Sequence, residues 1–152
     1  LQLKYKPELI LAGRRINDGM AKYVVDNFLK LALKKNIFKD SKKILLMGIT
    51  FKENCPDIRN SKSLEIAKLL LEYGLNLDIY DPVADLPKDW DLRENQINKI
   101  KNNNNYCGII ISVSHDIFKE IKLEEINQNG LRECLIFDLK SIYPKLDNSW
   151  RL

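Results

Sequence analysis

Along the first part of the chain, Ile16, Met20, Val24, Phe28 and Leu31 recur at spacings of four and three, the period of one helical face. The pattern predicts a helix from Pro7 to about Asn36. Pro7 followed by Glu8 suits its start. Thirty residues rise roughly 45 Å, longer than one small domain needs, so this helix reads as a connection between domains or subunits. Gly13 and Gly19 each weaken it and are candidate break points in its first half.

Beyond it the pattern changes period. "KKILLMG" (Lys42 to Gly48) is apolar without alternation, as in a strand covered by helices on both faces. Ser61 is a candidate N-cap for a helix through Leu64, Ala67, Leu70 and Leu71, with Gly74 at its C′ position. "LNLDIYD" (Leu75 to Asp81) alternates and predicts the next strand. Pro82 and Pro87 then break the chain, and a polar segment follows from about Asp89. "NNNN" at 102–105 reads as a turn or loop. "YCGIIISVS" (Tyr106 to Ser114) and "CLIFDL" (Cys134 to Leu139) predict two more buried strands, separated by a short helix around Leu123 to Asn129 that ends at Gly130. Two strand–helix–strand units predict an α/β fold: a Rossmann-like parallel sheet flanked by helices and preceded by the long helix. The expected division is residues 1–40 as connecting helix and 41–152 as one α/β domain.

In such sheets ligands bind beyond the carboxyl ends of the strands. There the first strand opens into "GITFKENCPDIRN" (Gly48 to Asn60), far longer than an ordinary strand-to-helix turn. Position nominates Phe51, Lys52 and Arg59 in this loop and Lys140 after the last strand. Lys52 is a point charge suited to phosphate, and Arg59 offers a planar fork. Phe51 suits either stacking on a base or plugging the core. Neither GxGxxG nor GxxxxGK[ST] can be written here. Asp81 stands where a dinucleotide-binding fold often has its ribose-binding acid, but without the glycines "DP" reads more readily as a strand cap that starts a turn.

Composition narrows the classes. The 152 residues carry 25 Lys+Arg against 21 Asp+Glu, a net charge of +4. That mild excess fits an anionic small ligand and does not demand nucleic acid. "KLALKK" and "KDSKK" are weighed as a nucleic-acid patch, yet lysines at a helix end also suit its dipole. Cys55, Cys107 and Cys134 form no CxxC, and His115 is the single histidine, so neither zinc site nor disulfide framework is expected. A reducing cytoplasm is the expected location. "ILLMGI" and "GIII" fall far short of the ~20 residues of a spanning helix. The start at Leu1 runs almost directly into helical pattern, which reads as a piece of a longer protein.

"GITFKENCPDIRNSKSLEIAKLLLEYGLNLDIYDP" resembles the C-terminal domain of the UDP-glucose/GDP-mannose dehydrogenase family through G-x-x-F-K, a short acidic stretch, D-x-R-x-S and a following Y-D-P. "AGRRINDGM" resembles the start of that family's central helix in its UDP-N-acetylhexosamine 6-dehydrogenase branch, and "SVSHDIF" and "IFDLKSIY" match later blocks in order. The resemblance implies a nucleotide-sugar 6-dehydrogenase of polysaccharide biosynthesis, which oxidises the sugar C6 hydroxyl to a carboxylate with NAD. In the family an N-terminal Rossmann domain binds NAD+, the central helix supports a homodimer, and the C-terminal domain grips the nucleotide diphosphate. By motif, Phe51, Lys52 and Lys140 would contact the UDP-sugar, and Arg59 would reach across the cleft to NAD+. Asn17 and Asp18 match the helix motif without an assigned contact.

The family nucleophile is a cysteine in G-x-C-x-x-K-D, and nothing in these residues matches it. Cys107 and Cys134 read as packing residues, and Cys55 has no accompanying base. His115 reads as a residue that caps or orients the turn after its strand. The chain is therefore expected to bind a UDP-sugar and not to catalyse alone. The rival reading is a free-standing nucleotide-binding or regulatory module.

Overall fold

The computed structural model describes residues 8–38, 43–100, 106–126 and 134–152. The expected helix start at Pro7, the "NNNN" turn, most of "KDSKK" and the helix end at Gly130 lie outside the described residues.

Helix α1 (Glu8–Lys34) is followed by β1 (Lys43–Met47), α2 (Lys62–Glu72), β2 (Leu77–Tyr80), β3 (Tyr106–Ile111), the short α3 (Leu123–Ile126), β4 (Leu135–Asp138) and β5 (Ser149–Trp150). All pairings are parallel, in the order β2-β1-β3-β4-β5. This is the α/β sheet that the apolar runs predict. β3 is buried at all six positions and β2 alternates between buried and half-buried, so the central strand is covered on both faces and the edge is not.

α2 begins and ends as its sequence dictates. The Ser61 hydroxyl accepts the Ser63 N–H at 3.3 Å, and Gly74 closes the helix with φ of 76°. One apolar layer joins α1 and α2 to Ile44, Leu46, Ile79, Ile110 and Phe137. The opposite layer places Phe118, Leu123 and Ile126 on Leu45, Met47, Ile109 and Ile136. Burying such side chains contributes about 1.5–3 kcal/mol each.

Three features differ from the pattern-based expectation. α1 runs unbroken through Gly13 and Gly19, because a helical glycine costs only about 1 kcal/mol. Its second half buries Val24, Val25, Phe28 and Ala32, while Leu9, Ile10, Leu11 and Ile16 of the first half are exposed. Within the polar stretch after Asp89, Asp91–Asn95 forms a 3-10 turn that buries Leu92. The chain end adds an unpredicted edge strand, where Trp150 stacks on Phe137 at 4.5 Å between ring centroids. Among the described residues no helix is long and apolar enough to cross a membrane.

Phe28 sets how closely α1 approaches the sheet. A Cβ built on Gly108 would lie 2.5 Å from Phe28 Cζ, whereas one on Gly19 meets nothing within 4 Å. Gly108→Ala is therefore expected to destabilise the domain by about 1–3 kcal/mol through overpacking. Gly19→Ala is expected to stabilise it by about 0.5–1 kcal/mol. Urea denaturation of both variants checks the opposite signs.

Candidate functional site

The site grows from the carboxyl ends of β1, β3 and β4. Gly48 leaves β1 with φ of 89°, and a Cβ there would sit 2.6 Å from Val113 Cβ, so only glycine lets the chain turn against the end of β3. The Ser112 hydroxyl donates to the Gly48 carbonyl at 2.6 Å. Residues 50–60 then form a loop closed on itself by Phe51 N–H donating to the Asp57 carbonyl at 2.7 Å. Asn54 and Asn60 hold φ of 56° and 57°, a region asparagine tolerates better than most residues.

Asp81 fastens this loop to the sheet. Its Oδ2 accepts the Ile49 N–H at 2.7 Å, and its Oδ1 accepts Val83 and Ala84 N–H at 2.8 and 3.0 Å. The carboxylate is fully buried. The cap reading of "DP" is the one observed, and with these bonds made inside the fold the acid does not face a ribose. His115, also fully buried, has Nε2 3.2 Å from Asp81 Oδ2 and 3.1 Å from Thr50 Oγ1, and Nδ1 accepts the Asn54 N–H at 2.9 Å. The sequence points this histidine at the turn after β3; its ring instead holds the loop after β1.

A cleft of about 230 Å³ opens beside that loop. It is lined by Phe51 and Lys52 from the loop, Ser61, Lys62 and Ser63 from the start of α2, and Lys140 from the end of β4. Three of the four nominated residues thus converge. Phe51 is 56% exposed, which rules out the plug reading. Lys52 Nζ lies 6.0 Å from the Phe51 ring centroid, and neither Lys52 nor Lys140 makes an ion pair among the described residues. Lys62 bonds Glu65 at 2.7 Å and reaches Asp18 at 3.5 Å. The Glu65 hydrogen bond raises the Lys62 pKa, keeping it cationic. Lys52, Lys62 and Lys140, against the one carboxylate residue Glu53, therefore line a small space at the positive end of α2, an excess of cationic side chains that favours an anion.

Arg59 is not among the residues lining the cleft. Its Nε and Nη2 donate to the two Asp57 carboxylate oxygens at 2.9 and 2.8 Å. These bonds hold Asp57 down to about 2. The D-x-R spacing was visible in the sequence, but not that Asp57 occupies the fork.

Sequence reasoning missed Asn17, which lines the cleft from α1, together with Ser61, Lys62 and Ser63. Asn17 stood in a noted motif, and Ser61 was read as a cap only. The cation next to the cap was the available signal. A wider groove of about 590 Å³ runs between α2 and the turn at Asp91, lined by Lys68, Glu72, Asp89, Trp90 and Asp91. Carboxylates outnumber its one lysine, and it sits at the negative end of α2, so it repels anions.

Residues 45–145 match the UDP-binding domain of the UDP-glucose/GDP-mannose dehydrogenase family. UDP-N-acetyl-D-glucosamine 6-dehydrogenase of Pseudomonas aeruginosa is 40% identical over 97% of this chain and 35% of its own length. The enzyme of the same name from Salmonella typhi is 38% identical over 97% and 35%. The chain spans about a third of the length of these relatives. The UDP-N-acetyl-mannosamine dehydrogenase Cap5O of Staphylococcus aureus shares the fold with a TM-score of 0.71 at 22% identity, over 99% of this chain and 34% of that one.

Proposed function

Because the chain belongs to the UDP-glucose/GDP-mannose dehydrogenase family and carries its UDP-binding domain, we propose that the cleft holds the diphosphate of a UDP-N-acetylhexosamine. The whole protein is then an NAD-dependent 6-dehydrogenase that oxidises the sugar C6 hydroxyl to a carboxylate for polysaccharide biosynthesis in the cytoplasm. The observation that carries this reading is the convergence of Lys52, Lys62 and Lys140 on the first turn of α2, with Phe51 exposed beside them. Lys52 and Lys140, without an ion pair among the described residues, bring charge to the phosphates, and Phe51 presents a face for the base or sugar. Residues 1–40 serve as the connecting helix and 41–152 as the substrate domain.

These residues do not compose a dinucleotide site. No GxGxxG is present, the Asp81 carboxylate is bonded inside the fold, and the Arg59 fork is held by Asp57. NAD+ is accordingly assigned mainly to a part of the protein outside this chain, with Arg59 reaching it once freed from Asp57. NAD+ supplies the hydride acceptor, while this chain's residues bind and orient the nucleotide. Without a cysteine in G-x-C-x-x-K-D the chain alone is proposed to be inactive.

The exposed first half of α1 supports a homodimer, since Leu9, Ile10 and Ile16 are 90%, 57% and 68% exposed and large apolar side chains exposed along one helix call for a cover. Sedimentation equilibrium is expected to show a dimer that Ile16→Glu converts to monomer. A monomer at every concentration would remove the dimer from this account.

Calorimetry tests the cleft. Lys52→Ala is expected to weaken UDP binding by roughly 1.5–3 kcal/mol, the range of charge-assisted hydrogen bonds. Arg59→Ala is expected to leave UDP affinity nearly unchanged. Equal, negligible effects of both would make residues 51–59 a plain surface connection.

A further inference from the structure

The loop that carries Phe51 and Lys52 has few anchors of its own. Phe51 and Lys52 are exposed, as are Glu53 and Asn54, so none of them is anchored in the apolar core. Besides the Phe51 N–H bond to the Asp57 carbonyl and the Ser61 hydroxyl on the Thr50 carbonyl, the segment is held by polar bonds to the loop after β3, more than sixty residues away. Asn54 N–H donates to His115 Nδ1 at 2.9 Å. The Asn54 side chain donates to Asp116 Oδ2 at 2.7 Å and accepts the Asp116 N–H at 3.1 Å. Thr50 Oγ1 donates to the Lys52 carbonyl at 2.8 Å while lying 3.1 Å from His115 Nε2.

These bonds assign the imidazole. A backbone N–H only donates, so Nδ1 is an acceptor without a proton, and Nε2 carries the hydrogen shared between Asp81 Oδ2 and Thr50 Oγ1. The ring therefore joins an anchored carboxylate on one side to the loop that lines the cleft on the other. Phe118 meets it edge-on at 5.2 Å between centroids and limits its rotation.

We propose that His115 is a positioning residue: through the Asn54 N–H and Thr50 it sets the backbone on which Lys52 stands, and so prepares the cleft for a nucleoside diphosphate. This rests on the reading of the cleft as the diphosphate site. Asp81 supplies the fixed point, His115 the link and Lys52 the charge that meets the ligand. The histidine itself, with no exposed surface, touches no ligand.

A double-mutant cycle between His115 and Lys52, read by UDP calorimetry on this chain, tests the link. In the wild-type background Lys52→Ala is expected to cost roughly 10- to 150-fold in affinity. In His115→Phe the same change is expected to cost less than about threefold, because Lys52 is already displaced. His115→Asn, whose Oδ1 stands near the position of Nδ1, is expected to recover part of the coupling and provides a second variant if the Phe variant does not fold. Equal costs of Lys52→Ala in all three backgrounds would overturn the proposal. Amide hydrogen exchange separates this result from failure of the site reading. If Lys52→Ala costs nothing in wild type, the diphosphate assignment falls. The positioning role is then decided by exchange: acceleration confined to residues 50–54 in His115→Phe supports it, and uniform acceleration overturns it.

Discussion

The buried carboxylate of Asp81 is the constraint on which the rest of the site depends. It ends β2, yet its bonds reach the backbone of Ile49 after β1, the Val83–Ala84 turn and the ring of His115 after β3. A buried anion is tolerated only when its lone pairs are met by donors, and here three backbone N–H groups and one imidazole meet them. Loss of this acceptor would leave those N–H groups unpaired, at about 1–3 kcal/mol each. The same carboxylate thus closes the strand, starts the following turn and determines where the long loop leaves the sheet.

From that fixed point the cleft follows by geometry. Gly48 turns the chain against Val113, the loop folds back at Asp57, and Ser61 opens α2 toward the space that remains. Charge arrives from three separate places in the chain, Lys52, Lys62 and Lys140, without any glycine-rich cradle of backbone amides. A cleft whose charge comes from side chains can be tuned by single substitutions and owes its precision to what holds the loop in place. α1 contributes twice: its second half seals one face of the sheet through Phe28 against Gly108, and Asn17 in its first half lines the cleft.

Much of this was legible in local pattern. Buried strands with unbroken apolar runs, the Ser61 cap and the Gly74 stop each report on a few adjacent residues. The position rule for parallel sheets brought Phe51, Lys52 and Lys140 to one place. What escaped depends on partners far apart in sequence. His115 bonds residues 34 to 65 positions away, and a lone histidine carries no spacing signal. β5 is two residues long, too short to show a period of two, although its tryptophan stacks on the core. Asn17 faces the cleft only because a long helix crosses it. The Arg59 fork was readable as a cation, while its capture by Asp57 required coordinates.

The central claim is that the cleft between this loop, the first turn of α2 and Lys140 holds the diphosphate of a UDP-sugar. Backbone amide shift mapping during a UDP titration tests it most directly. The account predicts the largest shifts at Phe51–Glu53, at Asn60–Ser63 and at Lys140. Shifts centred instead on Lys68–Glu72 and Asp89–Leu92, in the wider acidic groove at the other end of α2, would contradict it.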